Sequence, residues 1–135
     1  MSEADHFAQL TPLEKDMKRI GDSLPGAHVR WRIDWECWYF DLDGKMFGLM
    51  HDSLLTLKGD PQQNEIMREE FAFVIAGYHV NKTHWNSIRL TESTFTIAGY
   101  EKLIKASYDL VMAGFSHKKQ LAIQFKASGS ELESK

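Results

Sequence analysis

Leu13, Met17, Ile20 and Leu24 recur at helical spacing, and the residues that open this run, Thr11-Pro12-Leu13-Glu14, have the form of a capping box with proline at the first helical position. Pro25-Gly26 ends that helix, and the period changes. Val29, Trp31 and Ile33 then alternate with Arg30, Arg32 and Asp34, which predicts a strand with one wet face. Two further strands, Trp38 to Leu42 and Lys45 to Met50, flank Asp43-Gly44, a pair suited to the positive backbone angles of a tight hairpin. A strand from Leu54 to Lys58 stops at Gly59, where Asp60-Pro61 offers an N-cap and first-turn proline to a second helix bearing Ile66, Met67 and Phe71. Trp85 to Leu90 alternates as a strand. Tyr100, Leu103, Ile104, Tyr108, Val111, Met112 and Phe115 then form the longest helical pattern.

The order helix, several strands, helix, strand, helix favours α+β layer packing over a parallel doubly wound sheet. The pattern is weak at both ends, so the chain divides into a flexible segment at 1–10, one folded domain at 11–117 and a mobile tail at 118–135. No repeat is visible. A length of 135 residues suits one core, and 43% hydrophobic with 26% charged residues is ordinary for a soluble globular chain. Cys37 is the single cysteine, so no intramolecular disulfide and no cysteine-built zinc site can form. The acidic amino terminus lacks a secretory pattern, and the apolar run from Phe71 to Ala76 is too short to cross a bilayer, so a cytoplasmic protein with no membrane partner is expected.

Net charge of −3 argues against a generally basic nucleic-acid coat. The distribution is uneven, however. No Asp or Glu occurs from Phe71 through Thr91 or from Ser23 through Ile33, which leaves Lys82 and Arg89, and Arg30 and Arg32, in acid-free windows. The first window contains Gly77-Tyr78-His79-Val80-Asn81-Lys82-Thr83-His84-Trp85-Asn86, an unusual density of imidazole, amide, ammonium, indole and phenol. Ahead of a half-buried strand, it reads as a functional loop held against a sheet. Lys82 and Arg89, with Lys58, suit phosphate; Asn81 and Asn86 suit sugar or base edges; Trp85 or Tyr78 suits stacking on a base. The same residues also admit a pocket or docking face in which Tyr78, His79, His84, Trp85 and Asn86 give shape and directed hydrogen bonds to a small molecule or protein. A purely structural use is open as well, with Trp85 packed into the core, Asn81 bonded to the loop backbone and His84 a hydrogen-bonded support.

No catalytic residue is assigned. Asp41 and Asp43 look like a carboxylate pair, but Gly44 makes Asp43 a turn residue, and Ser116-His117-Lys118-Lys119 fits Ser-x-x-Lys by letter only. His79 and His84 lack a third ligand at a recognised spacing, so neither a metal nor another cofactor is expected.

The polar loop, together with Ser23-Leu24-Pro25-Gly26-Ala27, Gly44-Lys45-Met46-Phe47, Leu57-Lys58-Gly59-Asp60-Pro61 and Leu103-Ile104-Lys105-Ala106-Ser107-Tyr108-Asp109-Leu110-Val111, closely resembles the MmcQ/YjbR family from about Leu13 to Phe115. The resemblance implies a frataxin-type, single-domain two-layer α+β sandwich: a curved antiparallel sheet with helices on one face. It also implies DNA as the partner of a non-enzymatic binding protein. Two positions depart from the family pattern. Ala76 replaces the proline that commonly precedes Gly-Tyr-His, and Thr83 replaces a frequent arginine, which removes a planar fork for phosphate. The acidic ridge that frataxins carry on the first helix is missing too, since Glu14 and Asp16 alternate with Lys15, Lys18 and Arg19.

Overall fold

The computed structural model describes residues 1–77 and 80–133. Five helices, α1 (Glu3–Ala8), α2 (Pro12–Asp22), α3 (Pro61–Glu70), α4 (Ile97–Ala113) and α5 (His117–Glu133), accompany six strands: β1 (Ala27–Arg32), β2 (Cys37–Leu42), β3 (Lys45–His51), β4 (Leu54–Lys58), β5 (Val74–Ala76) and β6 (Trp85–Arg89). The strands form one antiparallel sheet in the order β1-β2-β3-β4-β6-β5. This is the α+β architecture that the sequence pattern predicts.

Local chemistry sets the element boundaries. Thr11 Oγ1 accepts from the Glu14 amide and Glu14 Oε1 accepts from the Thr11 amide, closing the capping box of α2 behind Pro12. Asp60 caps α3 by accepting from the amides of Gln62 and Gln63. Asp43 and Gly44 both have positive φ, 50° and 87°, as a two-residue hairpin between β2 and β3 requires. An irregularity at Phe40/Asp41 keeps Phe47 on the inner face beside Phe40, their rings 5.7 Å apart and edge-on.

All five helices lie on the same side of the sheet. α2 packs on β1, α4 crosses β2, β3 and β4, and α3 packs on β5 and β6. Phe40, Phe47, Met50, Leu55, Ile104 and Tyr100 are fully buried between these layers. The approach is close: a Cβ on Gly21 of α2 would sit 2.5 Å from Val29 and 2.8 Å from Phe40. Glu14 ties this layer to the end of the sheet. It is buried, and its second oxygen accepts from the Ser53 amide in the β3–β4 turn at 3.1 Å.

The ends carry helices where the sequence pattern gave flexible segments. Ser2 caps α1, whose Glu3 and His6 reach β1. Ser116 Oγ accepts from the Lys119 amide to start α5, and Ile123 is buried against Gly26 and Leu42. One buried apolar residue among the described side chains of that stretch is too sparse a signal for periodicity to detect. Ser116 thereby serves as a cap, which accounts for the Ser-x-x-Lys match. β5 is three residues long, below what alternation can register. Ile33, read as the inward end of a strand, is 78% exposed in the β1–β2 turn. The ladder stops at Arg32 opposite Cys37, and Asp34 folds back to accept from Arg32 Nε and Nη2 at 3.0 and 2.5 Å.

Candidate functional site

The face of the sheet turned away from the helices is where the fold leaves chemistry accessible. Register fixes what it presents: Arg30, Tyr39, Leu49, Thr56, Ser87 and Ile75 form one row across all six strands. A parallel row at one end contains Arg32, Cys37, His51, Leu54 and Arg89. Although no described helix covers them, Cys37, Tyr39, Thr56, Trp85 and Ser87 are buried. Thr56 Oγ1 and Ser87 Oγ lie 2.7 Å apart as a cross-strand hydroxyl pair.

Part of this burial belongs to a concavity of about 940 Å³. Cys37, Leu49, Leu54 and Thr56 line its floor, Trp35 and Glu36 of the β1–β2 turn form one wall, and Arg89, Thr91 and Glu92 form the other. A second hollow of about 550 Å³ lies beyond the residue 51–53 turn, between His6, Leu10, Trp31 and Trp38.

Guanidinium and aromatic groups interleave beside the larger concavity. Arg30 lies 5.1 Å and Arg32 5.0 Å from the centre of the Tyr39 ring, and Arg32 lies 4.6 Å from that of Trp35. Trp35 meets Tyr39 edge-on at 6.2 Å and is half exposed. The hydrogen-bonded fork to Asp34 raises the Arg32 pKa and lowers that of Asp34. Burial, reinforced by the nearby Asp41 carboxylate and opposed by both arginines, pushes the Tyr39 phenol up. Burial likewise pushes the Cys37 thiol up, so this lone thiol stays protonated at neutral pH, a poor nucleophile. Asp41 Oδ1 is a buried oxygen with no hydrogen-bond partner among the described residues. No group of three His, Cys, Asp or Glu placed to hold a metal ion occurs among the described residues.

The residues singled out from sequence do not converge on one spot. Arg89 stands at the concavity, where it pairs with Glu92 at 3.6 Å. Lys58, opposite Trp85 in the register, stands at the other end of the same strands, four ladder steps or roughly 13 Å away. Asn81, Lys82 and His84 adjoin that far end, all exposed. Asn81 Oδ1 accepts from the amides of Thr83 and His84, so its side chain is committed to the loop backbone. Lys82 projects outward. Trp85 is buried, in keeping with its structural reading and not with a ring offered to a ligand, and it lies on the face away from the helices.

Asn86 requires a correction. It is buried on the helix side, where Nδ2 donates to the Asn64 carbonyl at 3.0 Å and Oδ1 accepts from Arg68 Nη1 at 2.7 Å. Its amide locks β6 to α3 and cannot read a ligand. Tyr78 and His79 lie outside the described residues. Sequence reasoning missed Trp35, Cys37, Tyr39 and Thr56; the unbroken apolar run Cys37-Trp38-Tyr39-Phe40 was the available sign that β2 is buried on both faces.

The sequence model of the YjbR family matches residues 22–110. The chain belongs to the YjbR family. All six strands and every residue lining the large concavity lie within the matched span, whereas α1 and α5 lie outside it. Among similar proteins, the uncharacterised YbdF of Escherichia coli O157:H7 is 29% identical over 116 residues, spanning 83% of this chain and 94% of YbdF. YjbR of Escherichia coli K12, also uncharacterised, is 27% identical over 88 residues, 62% of this chain and 74% of its own length. The crystal structure of Deinococcus radiodurans protein DR2400, a DUF419 domain, superposes with a TM-score of 0.74 at 27% identity, covering 82% of this chain and 87% of that one. A Pseudomonas syringae protein, at 16% identity and a TM-score of 0.58 over 75% of this chain and 98% of its own, shares the fold. No helix among the described residues is long and apolar enough to cross a membrane.

Proposed function

We propose that this YjbR-family chain is a non-enzymatic binding protein whose ligand, a small organic molecule, sits in the concavity on the open face of the sheet. One observation carries the reading. The hollow of about 940 Å³ lies at the upper end of the size range of small-molecule sites, with an apolar and neutral floor and a few polar groups at its rim. Leu49, Leu54 and Cys37 supply contact, the Thr56 hydroxyl and His51 supply direction, and half-exposed Trp35 supplies a ring to close over a ligand. A reducing, cytoplasmic setting goes with this reading, since Cys37 is the only cysteine.

DNA is the second reading, and cations outside the lining of the concavity favour it. Among the described residues Arg30, Lys58 and Lys82 have no carboxylate partner, whereas Arg32 and Arg89 are paired with Asp34 and Glu92. Glu36, Asp52 and Glu92 at the concavity interrupt any continuous positive track, which is why the pocket is preferred.

Amide chemical shifts recorded while titrating a fragment library and then a DNA duplex separate the two. The pocket predicts perturbations at Cys37, Leu49 and Thr56 that survive added salt and vanish in Thr56→Phe. DNA predicts perturbations at Lys58 and Lys82 that fade as salt rises. A library that leaves the floor residues unmoved overturns the pocket.

A further inference from the structure

The geometry points to the Trp31 end of the β1 edge as a strand-accepting docking surface that α1 holds shut, with an extended peptide of alternating acidic and apolar residues as its partner. β1 is one of the two edge strands of the sheet, the other being β5, and the amides of Val29 and Trp31 point away from β2. Each is occupied by a carboxylate in place of a strand: Asp22 Oδ1 accepts from Val29 and Glu3 Oε1 from Trp31, both at 2.7 Å. Side-chain caps of this kind keep an edge from pairing with other chains.

The two caps differ in permanence. Asp22 ends α2, which is anchored by buried Met17 and Ile20, and its other oxygen pairs with Lys18 at 2.6 Å. Glu3 belongs to a six-residue helix with no buried residue. Apart from Glu3, what holds α1 down is the His6 ring stacked on Trp31, 3.7 Å between centres and 14° from parallel, with Lys15 and Lys18 over the Phe7 ring. A helix this short does not persist in water without such contacts. Lifting it frees the Trp31 amide and the flat face of its indole.

Charge selects the partner. On the open-face side β1 presents His28, Arg30 and Arg32, and Arg30 has no carboxylate partner among the described residues. On the helix side it presents Val29 and Trp31. An incoming strand therefore needs carboxylates on one face and apolar side chains on the other, and peptide recognition by strand addition uses that alternation. The segment already covering the edge has the same composition in helical form, with Glu3 and Asp5 beside Phe7. A second copy of the chain is a poorer occupant, because antiparallel pairing of two β1 edges about Arg30 sets two guanidiniums opposite each other.

The test uses the full chain and two short labelled peptides, one alternating glutamate with valine and one alternating lysine with valine. In Glu3→Ala, exchange of the Trp31 amide speeds up while the circular dichroism spectrum holds, and the glutamate peptide binds about tenfold tighter than to the natural chain. Arg30→Glu in that background reverses the preference between the peptides. Unchanged Trp31 exchange, equal affinities for both peptides, or self-association of Glu3→Ala in place of peptide binding overturns the proposal.

Discussion

The two faces of the sheet are built from the same strands, yet they use their side chains differently. Phe40 and Tyr39 are neighbours in β2, and both are buried. Phe40 meets Phe47, Val29 and α2, a layer fixed by backbone and helix packing. Tyr39 lies under Arg30, Arg32 and the edge of Trp35, long or exposed side chains that can swing away. The helix face is therefore closed by elements and the open face by rotamers. The second kind of closure admits a ligand without unfolding anything, and the larger of the two hollows is found there.

Truncation is the harshest way to break this contrast. Phe40→Ala should cost about 3–5 kcal/mol, because a packed core relaxes only partly around the void. Tyr39→Ala should cost roughly 2 kcal/mol, since Arg30 and Trp35 can collapse over the gap. Urea unfolding of both variants measures the difference. Equal losses would mean that the open face is as rigid as the core and that the pocket reading is too generous.

Glu14 sits where the closed layer meets the rim of the pocket. Glu14→Ala removes a cap acceptor and leaves the Ser53 amide without its carboxylate, a loss of roughly 2–3 kcal/mol. Its local signature is loosening of the 51–54 turn, seen as faster exchange of the Ser53 amide than in a variant with an equal loss elsewhere in α2. Uniform destabilisation would show that Glu14 acts on the helix alone.

How much of this was legible follows the same division. The capping box at Thr11, the Asp43-Gly44 turn and the Asp60-Pro61 start each depend on neighbours in sequence, and each stands in the structure as the pattern predicts. The inner core followed from periodicity. The open face did not, because Tyr39, Leu49 and Thr56 become one surface only through register across three strands. Asn86 misled for the same reason. Its amide looks free in sequence, and its partners Asn64 and Arg68 arrive from a helix about 20 residues earlier. α1 and α5 were hidden because their anchors are scattered residues, Glu3, His6 and Phe7 in the first and Ile123 in the second, rather than apolar stripes.

The smallest effect is a pH dependence. Burial raises the pKa of the Cys37 thiol above its ordinary value of 9.0, so the folded state holds that proton more tightly than the unfolded chain. For an acid shifted upward, the associated stability is complete below 9.0 and is lost as pH climbs through the folded-state value. Tyr39, raised from 10.0 mainly by burial, adds the same sign at higher pH. Tyr100 and Tyr108, raised by burial as well, join Tyr39, so stability should decline in the alkaline range in a thiol step followed by an overlapping tyrosine step, and Cys37→Ala should remove the earlier one while leaving the tyrosine step in place. Urea midpoints measured between neutral pH and the tyrosine range resolve them. A ligand seated on the pocket floor should push the Cys37 step still higher by excluding water from the thiol, and it should leave the steps of the helix-side phenols of Tyr100 and Tyr108, also raised by burial, where they are. An earlier or lower step with ligand bound would place the ligand away from Cys37 and return the open face to a surface without a floor.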